Sequence, residues 1–199
     1  PYIIAELSSN HANNFDIVIK SIEAAAKCGA NAIKTQLYTA SSLTLPDKNY
    51  SPIIDDKTSP WFGKSLFDLY EEASLPYKWY PKMIECAKDN SIDLFASVFD
   101  STSLDFALNL KLPLIKVSSF ELIHLPLLRK IEKTNIPTIV STGMALLDEI
   151  EECVEIFKDK NNDSKYLTYA STVSISYCSL GLVSLFLIYT RLTSLPLYL

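Results

Sequence analysis

Glycine is nearly missing from this chain: four residues in 199, at positions 29, 63, 143 and 181. They are too few and too scattered to build a G-x-G-x-x-G loop, which argues against a Rossmann-type dinucleotide cofactor. An excess of basic residues is also missing. With 18 Lys and Arg against 23 Asp and Glu, the formal net charge is -5, and no basic face is available to neutralise phosphates, so nucleic-acid binding is not expected. The acidic pairs and triplets, Glu71-Glu72 and Glu149-Glu151-Glu152, fall in helical patterns and read as solvated faces. No C-x-x-C pair occurs among Cys28, Cys86, Cys153 and Cys178. The first three lie in helical patterns beside Ala or Val, which predicts buried free thiols in a cytoplasmic protein. No N-terminal signal precedes the first apolar stretch, which again favours the cytoplasm.

What is present is an alternation of short apolar runs with amphipathic stretches over roughly the first 160 residues. Tyr2-Ile3-Ile4-Ala5, Ala32-Ile33-Lys34-Thr35-Gln36, Leu94-Phe95-Ala96-Ser97-Val98, Leu114-Ile115-Lys116-Val117 and Thr138-Ile139-Val140-Ser141 read as strands. Helices are predicted over 15–28, capped by Asn13 or Asn14 and ended by Gly29, and over 65–73, 77–89, 101–110, 125–133 and 145–158. Strands apolar on both faces, each followed by a helix, imply a parallel sheet. Five such units favour an α/β fold of the (β/α)8 TIM-barrel type, incomplete here at about five to six β–α units. Polar residues support this choice, because they sit at or just after the C-terminal strand ends: Glu6; Lys34 and Gln36; Ser97; Lys116, Ser119 and Glu121; Ser141. In a barrel those ends converge on one mouth, where active sites of this fold are built. The segment 37–64 is long for a connection and carries Pro46, Pro52, Pro60, Tyr50, Trp61 and Phe62; a lid, a partner-binding arm and a plain surface insertion all remain open for it.

Five motifs in order resemble those of the sialic acid synthase family. Ala5-Glu6-Leu7-Ser8-Ser9-Asn10-His11 is similar to its first-strand signature, and Lys34-Thr35-Gln36 to its K-x-Q. Ser97-Val98-Phe99-Asp100 resembles S/T-P-F-D, Lys116-Val117-Ser118-Ser119-Phe120-Glu121 resembles K-I-x-S-x-E, and Ser141-Thr142-Gly143-Met144 matches S-T-G-M. Two features resemble the pseudaminic branch: Glu6-Leu7-Ser8, and Trp61-Phe62-Gly63 followed by Leu66-Phe67-Asp68-Leu69-Tyr70-Glu71-Glu72-Ala73 and Pro76-Tyr77-Lys78-Trp79. Val98 stands where the family has Pro. Asn13 occupies a usual Gly position, which Asn tolerates because it enters the left-handed backbone region.

The resemblance implies an enzyme that condenses phosphoenolpyruvate with a 2,4-diacetamido-trideoxy hexose to a nonulosonic (pseudaminic) acid, releasing phosphate by C–O cleavage. An N-acetylneuraminate or legionaminate synthase and a non-catalytic phosphoenolpyruvate-binding remnant are the alternatives. It implies Glu121 and Glu6 as catalytic carboxylates and Lys34, Lys116, Ser97, Ser119 and Ser141 as phosphoenolpyruvate-binding residues. Gln36, Asn10 and His11 are implied in sugar binding. These residue types suit the chemistry, since a substrate with a carboxylate and a phosphate needs cations and several donors. The bland readings are a rim-snorkelling role for the lysines, ion pairing for the carboxylates and helix capping for the serines. Burying a cation inside apolar strands is costly, which favours function for Lys34 and Lys116. His124, before Pro126, is expected to be a satisfied loop histidine.

The family is also expected to use manganese or magnesium on two histidines from later strands; neither His11 nor His124 fits those positions. It implies a homodimer as well, and a C-terminal antifreeze-like domain without counterpart in this sequence. The resemblance spans 1–163. From Tyr166 to Thr190 the chain is uncharged, long enough by hydropathy to cross a bilayer. Its Ser and Thr content and the lack of flanking basic clusters favour a shifted reading frame or a truncation over an anchor for the divergent apolar tail 164–199, and no membrane partner is expected.

Overall fold

Apolar residues alternate along each strand, and the two faces of the sheet are buried against different neighbours. The computed structural model describes residues 2–46 and 50–157 in full, and the backbone alone at 169–170 and 184–187. Five β–α units run in order: β1 (Ile3–Glu6) and α1 (Phe15–Lys27), β2 (Ala32–Leu37) followed by α2 (Ala40–Leu43), α3 (Leu66–Ala73) and α4 (Tyr80–Asp89), β3 (Asp93–Val98) and α5 (Ser101–Asn109), β4 (Ile115–Val117) and α6 (Leu125–Glu132), β5 (Thr138–Ser141) and α7 (Leu147–Phe157). Two further strands, β6 (Tyr169–Ala170) and β7 (Ser184–Leu187), complete the order β6-β5-β4-β3-β2-β1-β7.

Strands β1 to β6 are parallel, giving an incomplete (β/α)8 barrel as the strand and helix pattern predicts. β7 is the exception: it runs antiparallel to β1, from Glu6↔Ser184 to Ile3↔Leu187, and covers an edge that would otherwise lie open. The rest of the divergent tail lies outside the described residues. Among the described residues no helix is long and apolar enough to cross a membrane.

On the outer face, Ala5, Ile33, Leu37, Leu94, Ala96, Val98, Ile115, Val117 and Val140 join Val18, Ile22, Met83, Leu104, Leu127 and Leu128 of the helices in one core. Val98, at the family's proline position, is fully buried there. On the inner face a smaller apolar layer, Ile4, Ala32, Phe95 and Ile139 with Leu114, fills the lower part of the barrel. The next inward positions along the same strands are polar, and they form the candidate site. A strand period of two therefore assigns each residue of Ala32–Leu37 either to packing or to the mouth.

Helix starts are fixed by side chains. Asn14 Oδ1 accepts from the Asp16 and Ile17 amides at 2.9 and 3.4 Å, Ser65 Oγ from Asp68 at 3.0 Å, and Asp100 from Ser103 at 2.7 Å. The predicted 77–89 helix opens with a 3₁₀ turn, Tyr77–Trp79, and α7 begins two residues later than its apolar pattern suggests. Segment 37–64 is not featureless. It holds α2 and a narrow hairpin in which Gly63 donates to the Ile54 carbonyl at 2.8 Å, Ile54 to that of Lys64 at 3.0 Å, and Leu66 to that of Pro52 at 2.9 Å. Cys28 is exposed and Cys86 half-buried, so only Cys153 matches the expectation of buried thiols.

Four helix-to-strand turns at the bottom of the barrel share one device: a residue in left-handed conformation just after the helix. Only the first is glycine, Gly29 (φ 83°); the others are Ser91 (55°), Lys111 (54°) and Asn135 (55°). At Lys111 the turn closes with Leu112 donating to the Ala107 carbonyl at 3.2 Å and Lys111 to that of Leu108 at 2.9 Å. A β-carbon is disfavoured in this region and its removal relieves the backbone. Lys111→Gly is therefore expected to stabilise the fold by about 0.5–1 kcal/mol, read as a higher urea midpoint at unchanged slope; a lower midpoint would contradict it.

Candidate active site

Strand register brings the polar positions together. Glu6 of β1 pairs in register with Lys34 of β2, Gln36 with Ser97 of β3, and Ser97 with Lys116 of β4. All but Gln36 and Lys116 are buried, Glu6 at 3%, Lys34 at 8% and Ser97 at 0% exposure. The Lys34 ammonium forms an ion pair with Glu6 Oε2 and donates to Ser97 Oγ at 3.3 Å. The other carboxylate oxygen, Oε1, accepts from the Ser8 amide at 2.9 Å and the Ser8 hydroxyl at 3.1 Å. Both oxygens of Glu6 are thus satisfied, as a buried carboxylate requires.

Among the described residues Lys116 has no such partner. Burial, together with the neighbouring Lys34 charge, pushes its ammonium down to about 8, and the charges of Glu6 and Glu121 offset this only in part. Glu121 lies in a 3₁₀ turn, Ser119–Ile123, directly after β4. Burial raises its carboxyl above the ordinary range, against the opposing effects of a Ser118 hydrogen bond, its own amide, Lys116 and His124. Its Oε2 is buried without a hydrogen-bond partner among the described residues. One under-compensated cation and one under-satisfied carboxyl oxygen facing the same mouth are what a site built for a charged ligand leaves open.

The remaining expected site residues divide. Gln36 is half-buried, one inward position beyond Lys34, and Ser141 is half-buried at the end of β5. Ser119 is half-buried at the start of the 3₁₀ turn. Asn10 is exposed, with its amide held by the Leu7 carbonyl at 3.1 Å. The structure does not bring His11 to the ion pair. It is 1% exposed and meets Trp79 edge-on at 6.3 Å, and its Nδ1 accepts from the Asn13 amide at 3.1 Å. Asn13 takes the left-handed backbone (φ 50°) foreseen for it. Burial lowers the His11 pKa; the Ala73 carbonyl opposes this without closing a well-formed hydrogen bond to Nε2. His124 is exposed between the 3₁₀ turn and α6.

Ser8 and Tyr80 escaped the sequence reading. Tyr80, fully buried, places its hydroxyl 2.8 Å from Thr35 Oγ1, which donates to the Phe95 carbonyl at 3.2 Å, so β2 is braced from behind between Lys34 and Gln36. Its signal, an aromatic at a helix start, does not differ from ordinary core. Ser8 sits within a quoted motif, but nothing in a motif shows which carboxylate oxygen a hydroxyl meets. Among the described residues no group of three or more His, Cys, Asp or Glu could hold a metal ion. His11 packs against Trp79 and His124 is exposed, so the metal that the resemblance implies is not matched by these two donors.

A barrel with its polar cluster at the C-terminal strand ends belongs to the (β/α)8 enzymes that build their sites there. Within that class, the chain belongs to the NeuB family, whose profile matches residues 21–177. It is 42% identical to a pseudaminic acid synthase of Campylobacter jejuni over 86% of this chain and 50% of that protein. It is 35% identical to the pseudaminic acid synthase of Helicobacter pylori over 81% and 47%. The fold is similar to that of an N-acetylneuraminic acid synthetase from Leptospira borgpetersenii in complex with citrate, with a TM-score of 0.72 at 25% identity, covering 87% of this chain and 55% of that one. The chain therefore spans about half the length of the relatives it matches.

Because Lys116 is held charged where burial and Lys34 disfavour charge, Lys116→Met is expected to be more stable than the native chain at pH 7, by roughly 1–3 kcal/mol. The native lysine carries this penalty in full below about 8 and sheds it as the pH rises toward its unfolded value. The gap should therefore close by about pH 10.5. Urea titrations of both chains at the two pH values check this; a constant gap would contradict it.

Proposed function

We propose that this chain carries the phosphoenolpyruvate-binding part of a nonulosonic acid synthase of the pseudaminic type, with residues 1–163 as barrel and 164–199 as a divergent tail. The observation that carries the proposal is the meeting of two ammoniums, the buried Lys34 and the half-buried Lys116, with a Glu121 carboxyl oxygen that has no hydrogen-bond partner among the described residues. The identity to two pseudaminic acid synthases supports it, and the citrate in the Leptospira relative is in keeping with an anion site.

In this reading Lys116 and Lys34 hold the phosphate and carboxylate, with Ser97, Ser119 and Ser141 as donors. The C2=C3 π pair of phosphoenolpyruvate forms a bond from C3 to the aldehyde carbon of the open-chain sugar, whose oxygen takes a proton and becomes a hydroxyl. Water adds at C2 and gives up a proton, and the C2–O bond to phosphate breaks to leave a C2 carbonyl and free phosphate. Positive charge develops at C2 on the way. Glu121, whose carboxyl is pushed toward neutrality by burial, handles the proton of the attacking water; Glu6 fixes Lys34 and adds negative charge to the mouth. Gln36, Asn10 and His11 are proposed for the sugar side, of which Gln36 is best placed, on the inward face beyond Lys34. We extend the proposal to a homodimer, and to a cytoplasmic location on the strength of the free thiols Cys28, Cys86 and Cys153.

Because neither His11 nor His124 matches the metal-binding histidines that the resemblance implies, these 199 residues are expected to bind phosphoenolpyruvate with little turnover. Joined to the C-terminal half of the Campylobacter jejuni relative, the chain is expected to release phosphate when given the 2,4-diacetamido-trideoxy hexose. Glu121→Gln in that chimera should slow release by about 10²-fold or more. Release driven only by N-acetylmannosamine would instead favour a neuraminate synthase, and release driven only by the legionaminate precursor would favour that branch, of which one relative is 34% identical to this chain.

A further inference from the structure

Ser8 adopts a left-handed backbone, φ 50°, in a half-buried loop directly after β1. A serine gains nothing from this conformation, which glycine enters freely. What it gains is reach: from here both its amide and its hydroxyl meet Glu6 Oε1, at 2.9 and 3.1 Å. Glu6 Oε2 is left to the Lys34 ammonium, which in turn donates to Ser97. The chain of contacts thus runs Ser8 to Glu6 to Lys34 to Ser97 across three adjacent strand ends. At its far side stands Lys116, whose charge is disfavoured by Lys34 and supported by Glu6 and Glu121.

We infer that Ser8 is a positioning residue: its hydroxyl locks the Glu6 carboxylate in the orientation that turns Oε2 to the Lys34 ammonium and holds the negative charge beside Lys116. The inference rests on the reading of this mouth as an anion site and deepens it, by naming the group that sets its charge. A carboxylate held at one oxygen by two donors cannot rotate away from the lysines; with the hydroxyl gone, one amide remains and the carboxylate is free to turn. The charged groups beside Glu6 are Lys34 from β2 and Lys116 from β4, and Tyr80 of α4, on the other face of the sheet, feels the Glu6 charge. Glu121 acts on Lys116 from the 3₁₀ turn and His124 acts on Glu121. Among the described residues the hydrogen bonds of Ser8 both go to Glu6, so its effect on Lys116 is expected to pass through that carboxylate.

The test is lysine titration by NMR on the full chain carrying ¹³Cε-labelled lysine, with the Lys116 signal assigned by its loss in Lys116→Met. Ser8→Gly removes the hydroxyl, keeps the amide and relieves the backbone, so the fold should be as stable as the native one or more so. The Lys116 midpoint is expected to fall by roughly half a pH unit. Ser8→Ala, which keeps the backbone burden, should give the same fall. In a Glu6→Gln background, Ser8→Gly should no longer move the midpoint. An unchanged midpoint in Ser8→Gly, or a fall that persists in the Glu6→Gln background, would overturn the inference. No ligand enters this experiment. A chain that failed to bind phosphoenolpyruvate would sink the proposed function and leave this result standing, whereas a bound ligand with an unmoved midpoint would do the reverse.

Discussion

The ion pair between Glu6 and Lys34 is the interaction on which the barrel mouth depends. Both side chains are buried, and each comes from a strand whose neighbours on the same face, Ile4 and Ala32, are packed in the apolar inner layer. Removing either partner would strand a charge in a place with little water, at a cost of about 3–5 kcal/mol. Kept together, the pair supplies a fixed carboxylate and a fixed ammonium against which a third charged group can be set. Lys116 is that group, and it is held at a disadvantage. A ligand that brings negative charge removes the disadvantage, so part of the stability forgone in the free chain returns as affinity.

Parallel register turns this local arrangement into a site. With Glu6 opposite Lys34, Gln36 opposite Ser97 and Ser97 opposite Lys116, the polar residues climb the sheet as a ledge above the apolar layer. A slip of one residue in any strand would send its member outward into the helix-facing core. The outer packing that prevents such slips includes Tyr80 and its hydrogen bond to Thr35, on the strand that carries both Lys34 and Gln36. Packing on one face of β2 thereby holds the geometry on the other.

Much of this was legible beforehand because β/α barrels write their pattern plainly. Thr138–Ser141 was read to the residue, and the other four strands to within one or two. The ledge was legible too, since charged residues inside apolar strands are rare unless used. What escaped reading depends on contacts rather than pattern. The helix Ala40–Leu43 is a single turn too short for periodicity to show. The left-handed turns at Ser91 and Lys111 carry residues with no preference for that conformation. His11, implied in sugar binding by the resemblance, is packed against Trp79; a histidine's partner across 68 residues is invisible without the fold. The pairing of Lys34 with Glu6, leaving Lys116 under-compensated, is likewise a matter of which side chains meet.

The central claim is that two ammoniums, one paired and one poised, make the mouth an anion site. Calorimetric titration of phosphoenolpyruvate into the chain between pH 7 and 9 tests it most directly. Affinity is expected to be measurable at pH 7 and to fall as the pH rises through about 8, the value to which Lys116 is pushed. Absence of binding at pH 7, or binding indifferent to pH across that range, would contradict it.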